Sequence, residues 1–388
     1  MKRVLLSVIT VILLPVLFYC SRDDQGEYSY TAPEPAGDGW STGDAGENGL
    51  SVTVLSEMMD YINGREGHNI HSVLVVRGGK LVFEEYFAGY LYSSDPPGSN
   101  GDYLQYDRET DHFLASVSKT VTSVIFGAAV KEGFITDLDE KIIDIFPQYS
   151  DILTGKKADI TVRHLLTMSS GLAWDESTTS YGDPANDVTK LFTSTDPIRG
   201  ILSNVLLTTP GQSFLYNSGG TNILGAVIEK YTGMSLLSFG NTYLFDPLEV
   251  SGGLWQKMGG GLFFASGGVF LRPRELAKIG FLFINDGWWN GSHVVTKDWI
   301  DDSVTEHIST MGKTIGKAHA YGYQWWLIDF HSNNRTYDCY MAAGWGGQYM
   351  LVFPGMEMII IFTGGNYMSS GSVSPFDLVE DYILRAVN

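Results

Sequence analysis

Segments that read as β-strands stand at both ends of this chain, and helical segments fill its middle. Near the start, His71-Ser-Val-Leu-Val-Val-Arg77, Gly78-Gly79 and Lys80-Leu-Val-Phe-Glu-Glu-Tyr86 read as a β-hairpin with a Gly-Gly turn. Near the end, Tyr321–Ile328, Thr336–Ala342, Tyr349–Phe353 and Met356–Thr363 read as strands, followed by a last helix over Pro375–Ala386. Apolar spacing predicts a helix over Leu50–Asn63, stopped at Gly64. Further helices are predicted near Ser116–Glu132, Val162–Thr167, Pro197–Leu206, Thr221–Thr232 and Arg274–Asn285. The simplest assembly is an α+β fold: one antiparallel sheet built from both chain ends, flanked by helices, with a helical lobe inserted between them. No fixed-period repeat is evident.

Of the 388 residues, 25 are Lys or Arg and 44 are Asp or Glu, giving a formal net charge of −19. A nucleic-acid binder needs a basic face to displace counterions, so that class is excluded. Two cysteines, Cys20 and Cys339, exclude a disulfide scaffold and multi-Cys metal sites. Cys339 lies inside a predicted strand and reads as an inert core thiol. Neither a cofactor nor a metal is implied.

Met1-Lys2-Arg3 followed by the uncharged, mostly apolar run Val4–Tyr19 reads as a secretory signal, since a permanent span needs about 20 apolar residues. Leu17-Phe18-Tyr19-Cys20 resembles a bacterial lipobox, with Tyr19 where a small residue is usual. The expected plan is a signal peptide over 1–20, a possible lipid anchor at Cys20, a polar Gly-rich tether over 21–49 and one domain over 50–388. An uncut N-terminal anchor is the alternative. Either places the protein outside the cytoplasm, in the periplasm or cell envelope of a bacterium.

Candidate chemistry begins at Ser116-Val-Ser-Lys119, just before the apolar run Val121–Val130. On a helix starting near Ser116 the two side chains share a face one turn apart. The helix N-terminus favours developing negative charge there. Desolvation would lower the Lys119 pKa and let it take the Ser116 proton. Alternatively, Ser116 only caps the helix and Lys119 is solvated. Tyr216, in Phe214-Leu-Tyr-Asn-Ser-Gly-Gly220 before a predicted helix, could relay a proton to a leaving group, or be an ordinary core tyrosine. Ala342-Ala-Gly344-Trp-Gly-Gly-Gln348 lies between two strands; its glycines mark a close backbone approach or a plain turn. A backbone N–H there could pair with that of Ser116 as an oxyanion hole. His164 reads as a structural histidine, and Gly39-Trp-Ser-Thr-Gly43 lacks the strand–turn–helix context of a nucleophile elbow.

Together, Ser116-x-x-Lys119, Tyr216-x-Ser218 and the Gly344 segment resemble the three motifs of the serine β-lactamase and penicillin-binding-protein superfamily. More narrowly, the chain is similar to the class C β-lactamase-like family and its esterase and 6-aminohexanoate-dimer hydrolase branch, over roughly residues 66 to 387. Supporting stretches are Ile160-Thr-Val-Arg-His-Leu-Leu-Thr-Met-Ser-Ser-Gly-Leu172 and Leu271-Arg-Pro-Arg-Glu-Leu-Ala-Lys-Ile-Gly280. The resemblance implies a β-lactamase/transpeptidase-like fold with its site between sandwich and lobe. It implies Ser116 as acylated nucleophile, Lys119 as base, Tyr216 as proton shuttle, and backbone N–H groups of Ser116 and Trp345 as the oxyanion hole. Ser218, Gly344, and Trp174 and Tyr181 of the loop from Trp174 to Asp187 would touch substrate; a plain surface loop is the alternative for the last two.

Two departures bear on substrate. Ser218 stands where Asn is usual, and Ala342 stands where a Lys or His usually holds the substrate carboxylate. Losing such a charge-assisted bond costs roughly 1.5–3 kcal/mol. The expectation is an exported hydrolase of carboxylic esters or small amides, its partner a small-molecule substrate. The alternatives are a D-Ala-D-Ala carboxypeptidase or β-lactamase, and a catalytically weak envelope lipoprotein that binds a ligand in the cleft.

Overall fold

The computed structural model describes residues 28–94, 97–251, 253–310, 317–368 and 371–388. The expected signal peptide, Cys20 and its lipidation, and residues 21–27 of the expected tether lie outside them.

Among the described residues, the two chain ends build one sheet of nine strands. Across it run Ser41–Thr42, Lys80–Tyr86, Ile70–Arg77, Met358–Gly364, Gln348–Phe353, Arg335–Gly344, Trp326–Ser332, Ala320–Tyr321 and Ile308–Ser309. The first pair is parallel and the other seven are antiparallel. The expected hairpin is present: Gly78 and Gly79 take φ of 53° and 74°, the double positive φ that matches the sheet's twist.

The central strands are buried on both faces, and their alternation divides them between two cores. Leu74, Val76, Met350, Val352, Ile359 and Ile361 face one core. Their neighbours Val73, Val75, Leu351, Phe353, Ile360 and Phe362 face the other. Helix Val52–Asn63 and the C-terminal turns from Pro375 to Ile383 cover the second face. Helices Val117–Lys131 and Pro273–Leu282 cover the first and lead into the helical lobe. Cys339 is buried and unpaired, as an inert core thiol should be.

Several expectations are corrected. Tyr321–Ile328 is not one strand: it breaks into Ala320–Tyr321 and Trp326–Ser332 around Gln324, which has φ 66°. The reason is tertiary. The Gln324 side chain is buried and bonds the carbonyls of Leu165 (3.1 Å) and Leu166 (2.7 Å) and the Thr221 hydroxyl (2.7 Å), fixing the sheet edge to the lobe. The helix expected to reach Leu206 ends at Ser203. A hairpin, Ala88–Ser94 paired with Pro97–Gln105, was not foreseen, because glycines, serines and prolines dilute its β pattern.

The described part of the expected tether, residues 28–49, is packed onto the body. Ser41–Thr42 joins the sheet edge, and Trp40 is 6% exposed against Phe281 and Trp289. Its indole N–H donates to the Arg274 carbonyl at 2.9 Å. The buried Arg274 guanidinium bonds Glu84 at 2.6 Å, Asp38 at 3.2 Å and the Glu34 carbonyl at 2.9 Å. A Gly-rich, polar composition hid the residues that dock the arm, Tyr28, Tyr30, Asp38, Trp40 and Ala45 among them.

His71 and His112 are both buried, with Tyr106 stacked on each, and the Nε2 atom of each has no partner among the described residues. Burial, helped by nearby His68, pushes His71 down to about 3. Burial and His71 push His112 well below the ordinary range. In the unfolded chain both titrate near 6.5. The unfolded state therefore takes up protons first, and stability is lost as pH falls from about 6.5 towards 3. Thermal unfolding from pH 7.5 to 4.5 should show this loss, and His112→Phe should make it shallower. An unchanged slope in the variant would assign the acid sensitivity elsewhere.

Candidate active site

Helix Val117–Lys131 is buried along almost its whole length. Its apolar side chains face the core, and its hydroxyls satisfy carbonyls of the surrounding segments. Thr122 bonds Ala265, Ser123 bonds Tyr323 and Thr120 bonds Gln324, each at 2.7 Å. Ser118 accepts from the Val269 N–H at 3.1 Å. This explains the alternation of apolar and hydroxyl residues after Ser116. The helix is entered through Ala115 at φ 45°, a strained conformation for a residue with a Cβ, held by the Leu114 N–H bond to the Val269 carbonyl at 2.9 Å.

Ser116 makes no side-chain cap bond, so its hydroxyl is not spent on the helix end. Lys119 is 2% exposed, with its Nζ 2.9 Å from Ser116 Oγ and 2.9 Å from the Ser266 carbonyl. The alternative of a capping serine and a solvated lysine is thus set aside. Burial pushes Lys119 down to about 8, against the Glu176 carboxylate, which favours the charged form.

Tyr216 lines the same cleft as Ser116, lies with its ring 4.9 Å from Lys119 Nζ, and stacks on Trp326. Burial, reinforced by the Glu176 carboxylate, raises its pKa well above 10, which keeps the phenol neutral. Helix Ser218–Thr232 starts just beyond it, capped by Asn217, which accepts from Gly220 N at 3.1 Å. From the other side Met168, at φ 54°, takes the Leu215 N–H on its carbonyl at 2.8 Å and the Asn217 N–H on its sulfur at 3.3 Å. His164 is structural as expected: with Thr161 it forms a capping box two turns earlier.

The Gly344 segment ends its strand against Ser116. A Cβ on Gly344 would stand 2.4 Å from the Leu114 carbonyl and 3.2 Å from Ser116 N, so only glycine allows this approach. Gly346 and Gly347, at φ 90° and 93°, turn the chain. Gln348 holds the turn by donating to the Gly364 carbonyl at 2.6 Å. Trp345 therefore starts its turn beside Ser116 and lines the cleft with Ser116, Trp174, Tyr181 and Tyr216. Ser218 lines an adjoining cavity.

The structure also brings in residues the sequence did not single out. Glu176 enters from the Trp174–Asp187 loop, with its Oε2 accepting from Ser218 N at 3.1 Å and from the Trp174 indole. Asn222, one turn into its helix, donates to the Ser218 carbonyl and to Ser266 Oγ, both at 3.1 Å, and so ties that helix to the loop that holds Lys119. Its spacing of four from Ser218 was a signal available in the sequence. Among the described residues no group of three His, Cys, Asp or Glu side chains is placed to hold a metal ion. A serine beside a buried amine, a neutral phenol and a strand end over the serine N–H can together run acyl transfer.

The Beta-lactamase family model matches residues 63–386. Over 305 residues the chain is 26% identical to 6-aminohexanoate-dimer hydrolase of Paenarthrobacter ureafaciens, covering 74% of this chain and 70% of that one. It is 28% identical to lovastatin esterase of Penicillium rubens over 36% of this chain and 38% of that one. Among solved structures, EstCE1, a hydrolase with promiscuous acyltransferase activity, superposes with a TM-score of 0.63 at 16% identity, over 82% of this chain and 95% of that one, a likeness of fold. With the family model running from the helix before the first hairpin to the last turns of the chain, this protein belongs to the Beta-lactamase family and is a serine hydrolase.

Proposed function

We propose that the protein hydrolyses carboxylic esters or small amides through an acyl-enzyme on Ser116. The observation that carries this is the fully buried Lys119 amine, 2.9 Å from Ser116 Oγ. Neutral Lys119 takes the Ser116 proton as Oγ attacks the substrate carbonyl. The oxyanion forms against the N–H groups of Ser116 and Trp345. Tyr216 passes a proton to the departing alcohol or amine and is resupplied from Lys119. Water then enters by the reverse route, and the carboxylic acid leaves. Ala342, buried on the strand that ends over Ser116, supplies no cation to hold a substrate carboxylate, which favours esters and amides over β-lactams and D-Ala-D-Ala peptides.

With p-nitrophenyl butyrate, Ser116→Ala should abolish turnover, and Lys119→Ala should cost about as much, because members of one catalytic unit are not additive. Tyr216→Phe should lose about 10²–10⁴-fold, the range of a general acid–base group. Near-normal activity in Lys119→Ala would sink the mechanism. Acylation by a fluorescent penicillin without ester turnover would move the assignment to the peptidase side.

The base works only when neutral, so kcat/KM should rise as pH passes up through about 8, where Lys119 loses its proton. Glu176 favours the ammonium, so Glu176→Gln should move that limb to lower pH. A limb that stays in place would separate Lys119 from the observed titration.

We also propose that the protein works in the periplasm or cell envelope, tethered through lipidated Cys20. The support is the basic start, the short apolar run and the lipobox-like Leu17–Cys20. Labelling with radioactive palmitate in a bacterial host should reach the wild type and not Cys20→Ser; equal labelling, or none in either, would remove the anchor.

A further inference from the structure

We infer that the site divides its substrate between two pockets, an uncharged aromatic one for the acyl group and a wider one carrying Glu176 for a neutral or cationic leaving group, so that its substrates are esters or amides of hydrophobic carboxylic acids. This rests on the acyl-enzyme reading above. Two cavities meet at Ser116, of about 280 Å³ and about 770 Å³. The rings of Tyr181 and Trp345, with centroids 4.8 Å apart, line both and stand between them.

The smaller cavity is walled by two aromatic pairs. Tyr92 stacks on Phe113 at 3.9 Å, and Phe192 meets Phe264 edge-on at 5.0 Å. Val188 closes it, and no charged side chain lines it among the described residues. Its outer wall is the unforeseen hairpin, whose Pro97 lies against Gly182 of the Trp174–Asp187 loop. The larger cavity is also walled largely by apolar and aromatic side chains, Trp326, Tyr349 and Val373 among them, and what sets it apart is charge: among the described residues Glu176 is its one charged lining group.

The position of Tyr216 decides which half of the substrate goes where. A leaving group must depart within reach of its proton donor. Tyr216 lines the larger cavity and not the smaller one. The leaving group therefore occupies the side with Glu176, and the acyl substituent is left with the aromatic pocket. Glu176 disfavours an anionic leaving group there and favours a cationic one.

The test keeps the leaving group constant first. For p-nitrophenyl acetate, butyrate and hexanoate, kcat/KM should climb by roughly threefold per methylene, as expected for burial of CH₂ groups. Val188→Phe, which fills the pocket, should lower the hexanoate-to-acetate ratio about tenfold. A flat series that still requires Ser116 overturns the acyl pocket and leaves the serine-hydrolase reading standing; hydrolysis independent of Ser116 overturns that reading itself. For the leaving-group side, butyrylcholine is compared with its uncharged isostere 3,3-dimethylbutyl butyrate. The wild type should favour the cationic ester, and Glu176→Gln should lower that preference several-fold, a ratio in which any general effect on Lys119 cancels. An unmoved ratio overturns the role of Glu176.

Discussion

An amine held out of water beside a serine is the constraint around which this molecule is built. Removing Lys119 from solvent disfavours its charge, and in the proposed mechanism that loss lets it act as a base near neutral pH. To keep it dry, its helix must lie inside the protein along nearly all its length. A buried helix cannot be amphipathic, so its hydroxyls must answer carbonyls from elements on every side, including those of Ala265, Tyr323 and Gln324. The lobe, the sheet edge and the Ser266 loop are thereby fixed relative to Ser116 by bonds that would otherwise be left unsatisfied in the interior.

The same logic explains features that do no chemistry. The Ile160–Leu172 stretch carries no reacting group, yet Met168 holds the turn that presents Tyr216, and the carbonyls of Leu165 and Leu166 hold Gln324. The N-terminal arm acts from the opposite side. Through Trp40 and the Arg274 pair it closes the sheet edge beside helix Pro273–Leu282, which packs on the central strands. The sheet, buried on both faces, is the rigid floor on which the Gly344 strand end can approach Ser116.

What the sequence made legible follows from which signals are local. The hairpin around Gly78-Gly79, helix Val117–Lys131 and the last three strands, from Arg335 to Gly364, carry strong local patterns, and they stand close to where expected. The Ser116–Lys119 contact was legible because a charge beside a long apolar run needs a reason. Tyr216 was legible only through its resemblance to a motif, since a lone tyrosine before a helix has no local signature. The break at Gln324 was hidden, because a residue in an apolar strand pattern gives no warning that partners more than 100 positions away, such as Leu165 and Thr221, will bend the chain. The docked arm was hidden by composition: a Gly-rich stretch reads as tether unless its one Trp is known to find a pocket. Glu176 was hidden because nothing local distinguishes a carboxylate aimed into a site from a solvated one.

Glu176 matters because it sets the sign of the site. Ala342 brings no cation to the strand that ends over Ser116, and among the described residues the one charge lining the larger cavity is negative. Replacing a cation by an alanine only removes an attraction for substrate carboxylates. Placing a carboxylate at the start of helix Ser218–Thr232 adds a repulsion against them, and selectivity is sharpened when attraction and repulsion act together. Glu176 is held there by the Ser218 N–H and the Trp174 indole, which oppose its swinging away when an anionic group enters. The same carboxylate keeps Lys119 more basic than burial alone would, and raises Tyr216 further. In the proposed mechanism one side chain thus couples two properties of the site, which substrates it admits and the pH at which its base works, and a change at Glu176 should move both together.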